Sequence, residues 1–144
     1  MTLTPERAQE ITSAMGWSRT LVLGDVMLDR YIHGTVGRIS PEAPVPIVEV
    51  EREYVALGGA ANVSANLRAL GDTALTLGVV GKDSASDLLR EELNKRGLSS
   101  DLLLVDEGRQ TTMKTRVVAE RQQVARVDRE DRDEIESEKI SEIL

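Results

Sequence analysis

The block from Gly58 to Gly81, GGAANVSANLRALGDTALTLGVVG, constrains the fold of this chain more than any other stretch. Its two opening glycines let a backbone come close to a ligand and adopt positive φ. Ala60, Val63, Leu67 and Leu70 then recur at helical spacing and predict a helix over 59–70 with those side chains inward. Gly71-Asp72 ends it, and the apolar run from Ala74 to Val80 reads as a buried strand.

The flanks extend this alternation. Thr4 caps a short helix over 4–15, with Pro5 at its first position and Ala8, Ile11 and Met15 on one face. Thr20 to Leu23 is a first buried strand. Ser84 to Arg96 is a helix with Ala85, Leu88, Leu89 and Leu93 inward and Gly97 as its stop, and Leu102 to Val105 is a third buried strand. Two stretches differ in texture. Asp29 to Gly34 and Val45 to Glu53 are strand-like around the turn-rich GRISPEAP, and Thr111 to Glu120 with Gln122 to Asp128 reads as a hairpin. The second of these strands alternates, with Ile47, Glu49 and Glu51 on one side and Val48, Val50 and Arg52 on the other. The expected fold class is therefore α/β: a partial doubly wound, mostly parallel sheet with helices, plus a small β-sheet.

A last helix is expected near Asp133. Its pattern of Ile135, Ile140, Ile143 and Leu144 stops without a cap, which leads us to expect an engineered boundary, a proteolytic product or a truncated reading frame at Leu144. The 144 residues suffice for one domain. Aromatics make up 2% with no Phe, so Leu, Val, Ile and Ala must build the core. The net charge of −7, with no basic cluster, argues against nucleic acid as partner. No Cys, no basic-then-apolar leader and no long apolar run leave a cytoplasmic protein without membrane segments as the expectation.

The chemistry concentrates at element ends. A helix N-terminus behind Gly58-Gly59 offers N–H groups to ligand oxygens, and Asn62 in its first turn can donate to and accept from a hydroxyl. GDVMLDRY, Gly24 to Tyr31, follows the first strand, where ligands of doubly wound folds bind. Asp25 there either binds ligand or caps local backbone. These parts suit a polyhydroxylated ligand. The Gly-x-Gly-x-x-Gly fingerprint of dinucleotide-binding folds is absent after the first strand.

Gly58, Gly59, Ala60, Asn62, Ser64, Gly71 and Gly81 fill every slot of a spacing that resembles the N-terminal signature of the ribokinase/PfkB carbohydrate kinases. Two further runs, GRISPEAPVPIVEV (Gly37 to Val50) and TTMKTRVVAERQQVARVD (Thr111 to Asp128), look like the heptose 7-phosphate kinases, found alone or as the kinase part of bifunctional ADP-heptose synthases. The resemblance covers residues 18 to 130. It implies a ribokinase-like fold with lid strands at approximately 28–53 and 111–128. It implies transfer of the γ-phosphate of ATP, with a divalent cation such as Mg²⁺, to O1 of D-glycero-β-D-manno-heptose 7-phosphate, for ADP-heptose and the lipopolysaccharide core.

By the same resemblance Asp29 contacts the sugar, with Gly58, Gly59, Asn62 and Asp25 beside it. A phosphorylated substrate needs cations, for which Arg116, Lys114, Arg38 and Arg121 are candidates, and Gln122 and Gln123 are candidates for hydroxyls. His33, the only histidine, is read as incidental. The family's catalytic Gly-Ala-Gly-Asp motif is missing and no Walker loop occurs. The nucleotide-binding half is therefore expected outside these residues, with no catalytic residue, no metal ligand and no complete ATP or Mg²⁺ site inside them. Expected partners are the sugar phosphate, the missing half and a second copy paired through the lid strands as a β-clasp. The alternative is a stand-alone sugar-phosphate-binding or dimerisation module.

Overall fold

One long strand organises the molecule, shown here as a computed structural model that describes residues 3–15 and 19–135. The elements are α1 (Pro5–Met15), β1 (Arg19–Leu23), β2 (Val26–Ile39), β3 (Pro46–Gly58), α2 (Gly59–Ala69), β4 (Thr73–Val80), α3 (Ser84–Lys95), β5 (Leu103–Val105), β6 (Met113–Ala119) and β7 (Gln122–Arg129). They form a three-stranded parallel sheet in the order β1-β4-β5 and a four-stranded mixed sheet in the order β3-β2-β6-β7. The stretches 28–53 and 111–128 supply strands of the second sheet and the connections between them. β2 joins them, antiparallel to β3 and parallel to β6 over Leu28 to Gly34.

The core sits where the two sheets meet. Val26 and Leu28 from β2, Leu57 from β3 and Met113 from β6 pack with Val80, Leu89, Leu93 and Leu103 of the α/β layer. Each buried Leu or Val removes enough apolar surface to contribute about 1.5–3 kcal/mol. The first residues of β2 and β6 thus hold the mixed sheet to the parallel one.

Hydrogen bonds reinforce that junction. Asp83, the N-cap of α3, accepts from the Ser86 N–H through Oδ1 (2.9 Å) and from the Thr111 N–H through Oδ2 (2.9 Å). The Thr111 hydroxyl in turn accepts from the Gly81 N–H at 2.9 Å. Burial pushes the Asp83 carboxyl up, but the hydrogen bonds from Thr111, Ser86 and Ala85 outweigh it and hold the group below its ordinary value.

Several expected faces are rolled. In α2 the buried side chains are Ala60, Ala61 and Ser64, whereas Val63 and Leu70 are exposed. The helix follows β3 without a linker, so its start is pinned and small residues meet the strands. In α3, Ala85, Leu89 and Leu93 are buried as expected, but Leu88 is exposed and Glu92 takes an inward place, paired with Lys95 and Arg96. Ile11 of α1 is exposed. Residues 130–135 are not helical, and the remainder of the helix expected near Asp133 lies outside the described residues. Among the described residues no helix is long and apolar enough to cross a membrane.

Candidate sugar site

The junction of β3 and α2 is built around glycine for steric reasons. Gly59 has φ +53°, and a Cβ there would stand 2.2 Å from the Asp25 carbonyl oxygen. That carbonyl accepts the Ala60 N–H at 2.8 Å, fixing the first turn of α2 against the end of β1. A Cβ on Gly58 would come within 2.8 Å of Oδ2 of Asp29. Gly58 caps α2 without a side-chain hydrogen bond, and the Asp29 carboxylate lies beside it.

Strand pairing sets what surrounds Asp29. Side chains directly opposite one another share a face. Asp29 lies between Ala56 of β3 and Lys114 of β6, and Lys114 faces Asp128 of β7. One row further, Tyr31 lies between Tyr54 and Arg116, and Arg116 faces Arg126. Arg116 Nη1 donates to Asp29 Oδ1 in an ion pair whose side chains are 25% and 20% exposed. The hydrogen bond to Asp29 holds the Arg116 guanidinium above its ordinary value, with burial opposing and the charge of Asp29 adding. Arg116 therefore stays cationic at any physiological pH. Lys114 Nζ lies 3.7 Å from Glu130 Oε2, too far for a strong hydrogen bond.

The structure brings Asp29, Gly58, Arg116 and Lys114 together. Asp25 lies beyond the carboxyl end of β1, in a hollow of about 460 Å³ that Lys114, Gly24, Met27 and Gly78 also line. Asn62 is exposed one turn into α2, and its side chain makes no hydrogen bond among the described residues. Arg38 sits near the far tip of β2 opposite Ile47, remote in sequence position from Asp29 along the strand. Arg121 occupies the β6–β7 turn with φ 71°. Gln122 pairs with Ala119, which puts it on the opposite face from Asp29, whereas Gln123 pairs with Val118 on the Asp29 face.

Sequence reasoning passed over the aromatic residues of this face. Tyr31 and Tyr54 stack at 4.9 Å between centroids, and His33 joins them at 5.6 Å from Tyr54. Arg116 lies over the Tyr31 ring at 5.4 Å and Arg52 over the Tyr54 ring at 5.2 Å. The signal was compositional: Tyr31 and Tyr54 are two of only three aromatics in the chain.

The pattern of the pfkB family carbohydrate kinases matches residues 18–143. Over 126 residues the chain is 50% identical to the bifunctional protein HldE of Desulfatibacillum aliphaticivorans, a match covering 88% of this chain and 26% of that protein. The chain thus spans about a quarter of the length of the curated relatives it matches. Among solved structures, a carbohydrate kinase from Agrobacterium tumefaciens superposes with a TM-score of 0.62 at 23% identity, over 78% of this chain and 35% of that one. The ribokinase of Arabidopsis thaliana complexed with ribose and ATP gives a TM-score of 0.61 at 17% identity, with the same coverage of each chain. At these identities the structural likeness shows a ribokinase-like α/β fold.

Proposed function

This chain belongs to the pfkB family of carbohydrate kinases, and from that premise we propose that its mixed sheet and the start of α2 form the sugar-binding half of a kinase site. One observation carries the reading: a carboxylate, Asp29, lies against the glycine start of α2 with Arg116 and Lys114 beside it. A carboxylate accepts hydrogen bonds from neighbouring sugar hydroxyls. The two cations serve a substrate that already bears a phosphate. The four-stranded sheet acts as the lid over the sugar.

The substrate under this proposal is D-glycero-β-D-manno-heptose 7-phosphate, phosphorylated at O1 for ADP-heptose and lipopolysaccharide core synthesis. Support comes from the runs Gly37 to Val50 and Thr111 to Asp128, which resemble heptose 7-phosphate kinases. Both runs lie in the mixed sheet or its connection.

ATP and Mg²⁺ belong to the whole kinase under this reading. The residues here do not fit them: the sequence has neither a Gly-Ala-Gly-Asp motif nor a Walker loop, and the described residues hold no cluster of three carboxylates or histidines. Sugar binding and orientation fall to this chain, and the base that activates O1 falls to residues outside it. The proposal includes a homodimer joined through the mixed sheet, whose edge strands β3 and β7 expose Val50 and Val127.

Titration calorimetry tests the proposal. The chain is expected to bind D-glycero-D-manno-heptose 7-phosphate at least tenfold more tightly than ribose or fructose 6-phosphate. It is expected to show no ATP-dependent phosphorylation of that sugar. Turnover by the pure 144-residue chain would defeat the assignment of catalysis elsewhere, and equal affinity for all three sugars would defeat the substrate.

A further inference from the structure

β7 ends at Arg129, and residues 130–135 then line the hollow of about 460 Å³ beyond β1, together with Asp25, Met27, Arg109 and Lys114. This segment is acidic, with Glu130, Asp131, Asp133 and Glu134 against the single cation Arg132. Its two ends are held differently. Arg109 Nη2 donates to the backbone carbonyl of Asp133 and lies 4.0 Å from Asp131 Oδ1. At the other end, Glu130 Oε1 accepts from Arg132 Nε at 2.7 Å, and Glu130 Oε2 stands 3.7 Å from Lys114 Nζ.

Lys114 is the cation of the hollow whose donors are unused. An ammonium group carries three donors, yet among the described residues Lys114 makes no hydrogen bond, and its side chain is only 25% exposed. The carboxylates on either side of it in the strand register have their own arginines. Asp29 accepts from Arg116, and Asp128 Oδ2 lies 3.0 Å from Arg126. Glu130 is thus the one ion-pair partner of Lys114 among the described residues, at a distance beyond hydrogen-bonding reach. Such a contact between partly exposed charges is weak. A half-buried ammonium with unused donors, facing a hollow and loosely covered by a carboxylate, is a place where one anion can replace another.

We propose that Glu130 is an internal stand-in for the phosphate of the sugar phosphate: it covers Lys114 in the free protein and yields it when the phosphate enters the hollow. The proposal rests on the sugar-kinase reading above and adds to it how the phosphate is admitted. Charge and donor count drive the exchange. A phosphate monoester carries about −1.5 to −2 charges and three acceptor oxygens, so it makes the charge-assisted hydrogen bonds to Lys114 that Glu130 leaves unmade. Glu130 keeps a partner when it leaves, because Arg132 already holds its other oxygen and is 85% exposed. Lys114 pairs with Asp29 in the register of β2 and β6, so the phosphate adjoins the carboxylate that takes the hydroxyls. A sugar without phosphate brings nothing to displace Glu130, and the contact stays closed to it.

Calorimetry on the 144-residue chain compares D-glycero-D-manno-heptose 7-phosphate with the same heptose lacking phosphate. Glu130→Gln removes the competitor and is expected to tighten the phosphorylated sugar about two- to fivefold, the scale of an exposed ion pair. The unphosphorylated heptose should change less than that. Lys114→Met is expected to weaken the phosphorylated sugar about ten- to a hundredfold, as for a lost hydrogen bond to a charged group. In the Lys114→Met background Glu130→Gln should have no further effect, which a merely structural role of Glu130 would not produce. Asp29→Asn weakens both sugars by similar factors. Unchanged melting temperatures certify the fold of the variants. If Asp29→Asn acts as stated but Glu130→Gln weakens the phosphorylated sugar or leaves it unchanged, Glu130 is no competitor and the exchange is overturned while the sugar site stands. If Lys114→Met leaves the ratio of the two affinities unchanged, the phosphate is held elsewhere and the exchange is overturned as well. If the unaltered chain binds neither sugar, the kinase reading fails and takes the exchange with it.

Discussion

Asp83, at the junction between the sheets, accepts backbone N–H groups on both carboxylate oxygens, whereas Asp29, on the face of the mixed sheet, accepts from the end of a long arginine side chain. Both are partly buried, and both join segments distant in sequence. The partners of Asp83 belong to the backbone of α3 and of the segment entering β6, so they leave only if that junction opens. Under the proposed site, the partner of Asp29 would swing away as a ligand hydroxyl took its place. A carboxylate tied to main chain stabilises the fold, and one tied to a side chain is available for exchange.

The largest effect that would break this contrast is on binding. Asp29→Ala is expected to lower sugar phosphate affinity by about 1.5–3 kcal/mol, the range for hydrogen bonds to a charged group. Its cost in stability is expected to be smaller, about 1 kcal/mol, because the pair is only partly buried and the freed Arg116 can turn to water. Calorimetry and urea unfolding on the same sample give both numbers. A stability loss larger than the affinity loss would make Asp29 a structural residue like Asp83.

The mirror-image variant comes next. Asp83→Ala removes the cap of α3 and leaves the Thr111 N–H without its acceptor, an expected loss of about 1–2 kcal/mol. Affinity of the folded protein for the sugar phosphate should stay within about twofold, under the same energetic scale. Loss of binding out of proportion to unfolding would show that the junction positions the site.

The pH dependence of Asp83 gives a finer test. Its folded-state carboxyl is held below the ordinary value of 3.8, so the unfolded chain binds this proton more readily than the folded one. The stabilisation is present in full above that ordinary value and is lost as the pH falls through the folded one. The stability gap between the unaltered chain and Asp83→Asn should be flat from neutrality down to about pH 5 and close at lower pH. A gap that widened on acidification would reverse the sign and remove the hydrogen-bond explanation.

The same division between local and distant causes decides what could be read from the sequence. α2, β4 and α3 fall within about two residues of their expected bounds, because glycine stops and apolar periodicity act locally. The inward face of α2 was misjudged: Ser64 is fully buried while Val63 is exposed. Only the docking of that helix on β3 and β4 could show this. The parallel pairing of β2 with β6 joins Asp29 to Lys114, and no local pattern announces it. Asp29 and Arg116 were each legible by type and place, but their ion pair depends on that register. Arg52 read as one member of an alternating, solvated strand, and only the tyrosine beneath it gives it a particular geometry.

The smallest expected effect sharpens the comparison most. Arg30 and Glu53 form an ion pair at 2.5 Å on the same two strands that carry Tyr31 and Tyr54, but on the opposite face. By distance alone it rivals the pair at Asp29. Its side chains are 37% and 42% exposed, however, and no glycine-opened helix start adjoins it. Glu53→Gln should therefore change stability by less than about 0.5 kcal/mol, as exposed pairs do, and leave sugar phosphate affinity unaltered in calorimetry. Should Glu53→Gln weaken binding as much as Asp29→Asn, the face of the sheet would have ceased to be the variable that separates a binding carboxylate from a surface one.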